Sequence, residues 1–197
     1  MATRNDGTEV ELSSPACSMH EADDQYMGYA GKDELIIFLN ELLEAERAGA
    51  RVTLESARAA GSGPISDLMR TVQQDEARWC GMLLGHIKAL GEVPSPRVGA
   101  FYGKAMAIAD LAERITFLNR GQGWVVRKLR EMLPRVRNDR LHADLSEMLR
   151  SHEANIALAK NADCRQREMI TSANFLPIVP VPDVIRQSRL LEGIRLR

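Results

Sequence analysis

A chain of 197 residues, 45% of them apolar, is long enough to bury one sizeable core and short for two. Its 26 Lys and Arg nearly cancel its 27 Asp and Glu, so no bulk positive field gathers nucleic acid or an anionic membrane surface. The first residues lack the basic and apolar regions of a secretory signal, and no run nears the roughly 20 apolar residues of a membrane span, so a cytoplasmic protein is expected.

Residues 1–31 are polar, hold Asp6, Asp23 and Asp24 and show no sustained apolar period, which predicts a mobile arm. From Asp33 the pattern turns helical. Leu35, Leu39, Leu42, Gly49 and Thr53 fall on steps of three and four among good helix formers, as far as Gly61-Ser62-Gly63-Pro64, and predict a first helix over about 33–60. A second helix, over about 64–90, carries Leu68, Val72, Trp79, Leu83, Ile87 and Leu90 and stops at Gly91, with Pro94 and Pro96 beyond.

Residues 91–103 are too many for a tight turn. Extended at about 3.3 Å per residue they reach roughly 40 Å, the length of the second helix, so a crossover along the helices is expected. A third helix follows over about 104–133 on Ile108, Leu111, Ile115, Leu118, Val125, Leu129 and Met132, closed by Pro134. Inside it lie Gly121 and Gly123, each about 1 kcal/mol poorer than Ala in a helix. They point to a close approach by a neighbour or to a local bulge.

The fourth helix takes Asn138 or Asp139 as N-cap and carries Leu141, Leu145, Leu149, Ile156 and Ala159 to near Cys164 or beyond. From about residue 171, Pro177, Pro180 and Pro182 force extended backbone, with a short amphipathic helix expected from Asp183. Apolar Phe175, Leu176, Ile178, Val179 and Val181 need a surface, either this chain's own helices or another subunit. Four helices, two short turns and one long crossover between helices two and three predict an all-α, up-and-down four-helix bundle over residues 32–170.

Each helix has one gap in its apolar seam, filled by a polar residue. Glu46 lies between Leu42 and Gly49, Glu76 between Val72 and Trp79, and Gln122 between Leu118 and Val125. In the fourth helix His152 or Glu153, depending on its rotation, fills the interval from Leu149 to Ile156. All four sit near the middle of their helices, so they are expected at one level. Ionised carboxylates in an apolar interior require a cation, a shared proton or hydrogen-bond donors. A divalent metal, one of the nearby Arg47, Arg78, Arg120 and Arg127, and a proton shared between carboxylates are all candidates.

These segments resemble the ferritin-like superfamily, which includes bacterioferritin, rubrerythrin and many bacterial proteins. LNELLEAERAGARV resembles its first helix, with Glu46 at the position of a liganding Glu. QQDEARWC resembles a Glu-x-x-His segment with Glu76 as its carboxylate, and GQGWVVRKLREML places Gln122 where the family has a third Glu. MLRSHEANIA resembles the second Glu-x-x-His, with Glu153 as its carboxylate. The similarity covers about 33–165. Trp79 and Ile156 occupy the two histidine positions, so the usual pair of redox-active irons is not expected. The resemblance implies either a single iron, manganese or zinc ion on Glu46, Glu76, Glu153 and His152 or Gln122, or a metal-free network in which the Trp79 indole N–H and the Gln122 amide donate to the carboxylates.

His86 falls ten residues after Glu76, about 15 Å along the helix, and belongs outside the layer. His20 and His142 have no companion at metal-ligand spacing. Cys17, Cys80 and Cys164 are odd in number and far apart, which fits neither a disulfide framework nor a zinc site. No phosphate-binding glycine loop or nucleophile elbow is present. The expected function is a non-redox binding or assembly module that forms a homo-oligomer or holds a protein partner through residues 172–197. The alternative is a metal-binding protein or a metal-dependent oxidoreductase.

Overall fold

The computed structural model describes residues 26–173, with side chains as far as Asn161. Among these residues the chain is all-helical: α1 (Lys32–Ala60), α2 (Pro64–Ala89), α3 (Phe101–Met106), α4 (Leu111–Met132) and α5 (Asp139–Ala173), with a 3-10 turn at Leu133–Arg135 after α4. Gly61 and Gly63, at φ of 71° and 106°, reverse the chain through backbone that only glycine adopts freely. Pro64 then starts α2, where its missing N–H costs nothing. The Ser66 hydroxyl donates to the Ala57 carbonyl at 3.1 Å, closing the hairpin.

Side-chain pairs set the helix directions. Glu34 pairs with Arg135 and Glu41 with Lys128, so α1 and α4 run antiparallel. His86 meets Asp144, Arg78 meets Glu147, and Asp75 accepts from Ser151 and Asn155, so α2 and α5 are antiparallel too. The order along the chain is therefore up, down, down, up. Because α2 and α4 point the same way, the segment between them must travel the length of the helices. It does so along α1: Asn40 Oδ1 accepts from the Ser95 amide at 2.7 Å, Arg47 donates to the Ser95 and Arg97 carbonyls, and the Gly99 amide donates to the Glu44 carbonyl at 3.0 Å. The Ser95 hydroxyl donates to Glu44 at 2.6 Å, and that bond chiefly holds the Glu44 carboxyl below its usual range.

Two expectations are corrected. The third helix does not begin at Lys104: α3 occupies Phe101–Met106, and Ile108 lies in the break before α4. The cause is local capping. Asp110 accepts from the Glu113 amide at 2.8 Å, and Arg114, buried despite its charge, donates to the Ile108 carbonyl at 3.0 and 2.7 Å, satisfying the carbonyls the break exposes. The N-terminal arm is shorter than 1–31, because Ala30 is buried and its amide donates to the Arg135 carbonyl at 2.8 Å. Residues 1–25 lie outside the described residues. The last helix ends at Ala173 and is capped at its start by Asn138, one of the two expected caps, which accepts from the Leu141 amide at 2.8 Å. The proline-spaced segment 174–197 lies outside the described residues.

The core is in two parts. One cluster holds Leu39, Leu42, Trp79, Leu83, Leu129 and Leu145, and the other holds Val52, Met69, Ala105 and Leu118. Buried Glu46, Glu76 and Gln122 lie between the two in the order of their helices, and buried His152 follows Met148 of the first cluster on α5. No described helix is long and apolar enough to cross a membrane.

Candidate metal centre

Glu46 is 0% exposed, Glu76 3% and His152 1%, and one ligand atom from each lies within 4.8 Å of the other two. Each helix delivers its residue through the seam gap. Leu42 and Glu46 stand one turn apart on the inward face of α1, as do Val72 and Glu76 on α2. On α5 the inward line runs Leu141, Leu145, Met148, His152 and Asn155.

That register excludes Glu153. Its carboxylate is 40% exposed and accepts from Arg130 at 2.6 Å, because one residue on from His152 turns about 100° around the helix. Ile156 is half-buried, so the position three after the inward residue belongs to Asn155, which donates to Asp75 at 3.1 Å. The fourth-helix motif is thus displaced by one residue from the resemblance, and His152 takes the place assigned to the carboxylate. Gln122 does reach the layer, where its amide nitrogen donates to Glu76 Oε1.

His152 is oriented from behind. Its Nδ1 lies 3.0 Å from the Met148 carbonyl and its Nε2 lies 3.2 Å from Glu46 Oε1. A carbonyl only accepts, so Nδ1 carries a proton and Nε2 is the ring nitrogen that faces the carboxylates, the orientation that metal-bound histidines use.

Space for the second carboxylate comes from Gly49. A Cβ built there would stand 2.5 Å from Glu76 Oε2, so any larger residue would push Glu76 out of the layer. We expect Gly49→Ala to destabilise the fold by about 1–3 kcal/mol through overpacking and to weaken metal uptake, read by urea denaturation and metal titration of the same preparation. Gly121 serves a neighbouring wall: its Cβ would meet the Phe101 ring at 2.7 Å. Gly123 has ample room around it, so the close approach expected of the two glycines is made at Gly121 alone, and by a side chain.

The arginine scheme does not match the contacts, whereas the Gln122 amide does donate to Glu76, and the hydrogen bond between the Glu46 and Glu76 carboxyls is one that a shared proton makes. Arg47 is turned to the crossover carbonyls, Arg78 pairs with Glu147 and covers the Trp79 ring at 4.4 Å, and Arg120 lies over the Phe117 ring at 5.4 Å. Arg127 is exposed. The Trp79 indole N–H, expected to donate to a carboxylate, has no hydrogen-bond partner. Glu46 Oε2 and Gln122 Oε1 are also buried without partners. An orphaned oxygen on one of the two buried carboxylates and a second on Gln122 leave the layer short of positive charge or protons.

Electrostatics record that shortage. Burial pushes the Glu46 carboxyl up to about 8, and a hydrogen bond with Glu76 only partly offsets it. Glu76 is raised well above its ordinary value, first by burial, then by the Glu46 charge, with His152 acting the other way. Cys80, half-buried nearby, is pushed up to about 12 by burial and after it by Glu46 and Glu76, so its thiol is not a nucleophile near neutral pH. His86 sits apart, bonded to Asp144 at 2.6 Å.

The side chains that sequence reading missed are Asp75 and Asn155, which tie α2 to α5 beside the layer. The signal was available in Asn155, a polar residue three positions after His152.

Residues 33–162 match the family described as "Domain of unknown function (DUF6306)". No curated protein and no solved structure matches the chain.

Proposed function

Because the chain belongs to this family, whose description leaves function open, we propose from the site alone that it binds one divalent metal ion through Glu46, Glu76 and His152, within a ferritin-like four-helix bundle. The observation that carries this reading is a pair of fully buried carboxylates with no Lys or Arg beside them, one with an unpartnered oxygen, together with a backbone-oriented imidazole whose Nε2 faces them and the unpartnered Gln122 Oε1 in the same layer. A cation supplies what all of these lack. Mixed carboxylate and imidazole donors suit iron, manganese or zinc.

The donor set fits one ion and not two. With Glu153 bonded to Arg130 at the surface, two carboxylates and one histidine remain, too few to hold a bridged pair. Three protein ligands leave the ion with open positions, and an ion so held acts as a Lewis acid toward whatever reaches it. Glu46 and Glu76 also neutralise its charge, while Gln122 fixes the Glu76 carboxylate. The ferritin-like assignment draws support from the up, down, down, up order and from the layer at mid-helix. No described residue favours the assembly reading, since the segment proposed to carry it, 172–197, lies outside the described residues apart from the end of α5.

Protein purified without chelator is expected to carry, or to take up on titration, about one equivalent of Fe(II), Mn(II) or Zn(II), read by elemental analysis and calorimetry. A preparation that takes up none of the three removes the proposal.

A further inference from the structure

All three ligands and Gln122 line one cavity of about 400 Å³, within the range of small-molecule pockets. Its deep end is the polar layer. Its walls include Phe101, Phe117 and Trp124, and its outer end reaches exposed Ala100 and Lys104. Phe101 and Phe117 stack with centroids 4.8 Å apart, and the missing side chain at Gly121 seats the Phe101 ring. The crossover is therefore what shapes the cavity, since α3 supplies Phe101 and Lys104.

Charge specifies what the cavity holds. Of the carboxylates on its lining outside the layer, Glu41 pairs with Lys128 at 2.9 Å and Glu44 with Arg97 at 3.1 Å. Lys104 is in no ion pair among the described residues. A divalent ion cancels Glu46 and Glu76, and Lys104 then leaves the cavity one positive charge in excess. The two unpartnered buried atoms on residues of the lining, Glu46 Oε2 and Gln122 Oε1, are acceptors, and Trp79 with its unpartnered N–H is not on the lining, so an anionic head at the deep end is held by the ion.

We propose that the cavity binds a small, largely apolar monoanion, an aryl- or alkyl-carboxylate, with its carboxylate on the metal ion and its body between Phe101, Phe117 and Trp124. This rests on the metal reading above, and the ligand completes the coordination that three protein donors leave open.

The test uses full-length protein loaded with Co(II) and titrated with 3-phenylpropanoate, acetate and neutral 3-phenylpropanamide, read by the visible absorption of the ion and by calorimetry. The expected result is a shifted Co(II) spectrum with 3-phenylpropanoate, binding at least roughly tenfold tighter than acetate because the ring buries apolar area, and no spectral shift with the amide. Lys104→Gln, an exposed change that leaves the ligands intact, is expected to weaken 3-phenylpropanoate several-fold while Co(II) stoichiometry stays the same. Failure of Co(II) to bind overturns the metal reading and this proposal together. Co(II) bound with a spectrum indifferent to 3-phenylpropanoate overturns this proposal alone, as does equal affinity for acetate and 3-phenylpropanoate.

Discussion

Replacing Glu76 by Gln is expected to weaken metal binding more than about a hundredfold, since even outer partners of metal ligands cost 10–100-fold, while making the metal-free protein more stable at pH 8. The two effects have opposite signs for one reason. Without an ion, Glu76 sits in the layer against burial, the Glu46 charge and the Asp75 charge. Glutamine keeps the shape that Gly49 accommodates, keeps an oxygen for the Gln122 amide, and adds an N–H₂ that can donate toward Glu46. Exchanging buried ionic groups for neutral ones gains roughly 1–4 kcal/mol, and a gain of that order is expected in urea denaturation with EDTA present. In the same assay with saturating Zn(II) the ranking reverses, because only the parent protein gains the linkage term of a bound ligand. A marked loss of stability in EDTA would instead mean that Glu76 answers a buried cation of the protein, and the site would be a salt bridge. Glu153→Gln is the contrast: its exposed pair with Arg130 is worth under about 1 kcal/mol, and metal uptake is expected to be untouched.

That contrast marks where the sequence stopped being legible. Seam gaps at Glu46, Glu76 and Gln122 were readable because three-and-four spacing fixes which face of a helix is inward, and a polar residue on that face stands out. On α5 the same spacing leaves two neighbours, His152 and Glu153, both compatible with Leu145 and Leu149. What selects His152 is the inward placement of Met148 and Asn155, a rotation of the helix that depends on packing against α2. The break before α4 was readable in retrospect, since Asp110 and Glu113 have capping-box spacing, but the apolar step through Ile108 and Leu111 masked it. The role of Gly49 was not readable, because sequence gives no sign that a carboxylate from another helix needs its Cβ volume. Nor was the cavity, which depends on Phe101 and Lys104 being folded back from the crossover onto α4.

Metal-free protein is expected to lose stability as pH rises from about 4.5 to 8, and metal-loaded protein is not. The sign follows from Glu46, whose carboxyl titrates at its ordinary 4.5 when unfolded and at about 8 when folded. Between these values the folded state holds a proton that the unfolded state has released, so stability falls with pH across that window. The contribution is fully present below 4.5 and lost by about 8, a change on the order of 5 kcal/mol, since one proton held across one pH unit is worth about 1.4 kcal/mol. Glu76 is raised in the same direction and adds to the fall. A bound divalent ion replaces those protons, so metal affinity should climb with pH until Glu46 is ionised and level off beyond about 8. Near pH 6.5 Glu46 is protonated without metal, and binding should release its proton, measured by calorimetry in buffers of different ionisation enthalpy. Near pH 9 Glu46 has already lost its proton, and the number released should fall. Stability that stays flat from pH 5 to 9 in EDTA, or binding that releases no protons at pH 6.5, would show that the carboxylates are already charged and compensated inside the fold, leaving an ion nothing to replace.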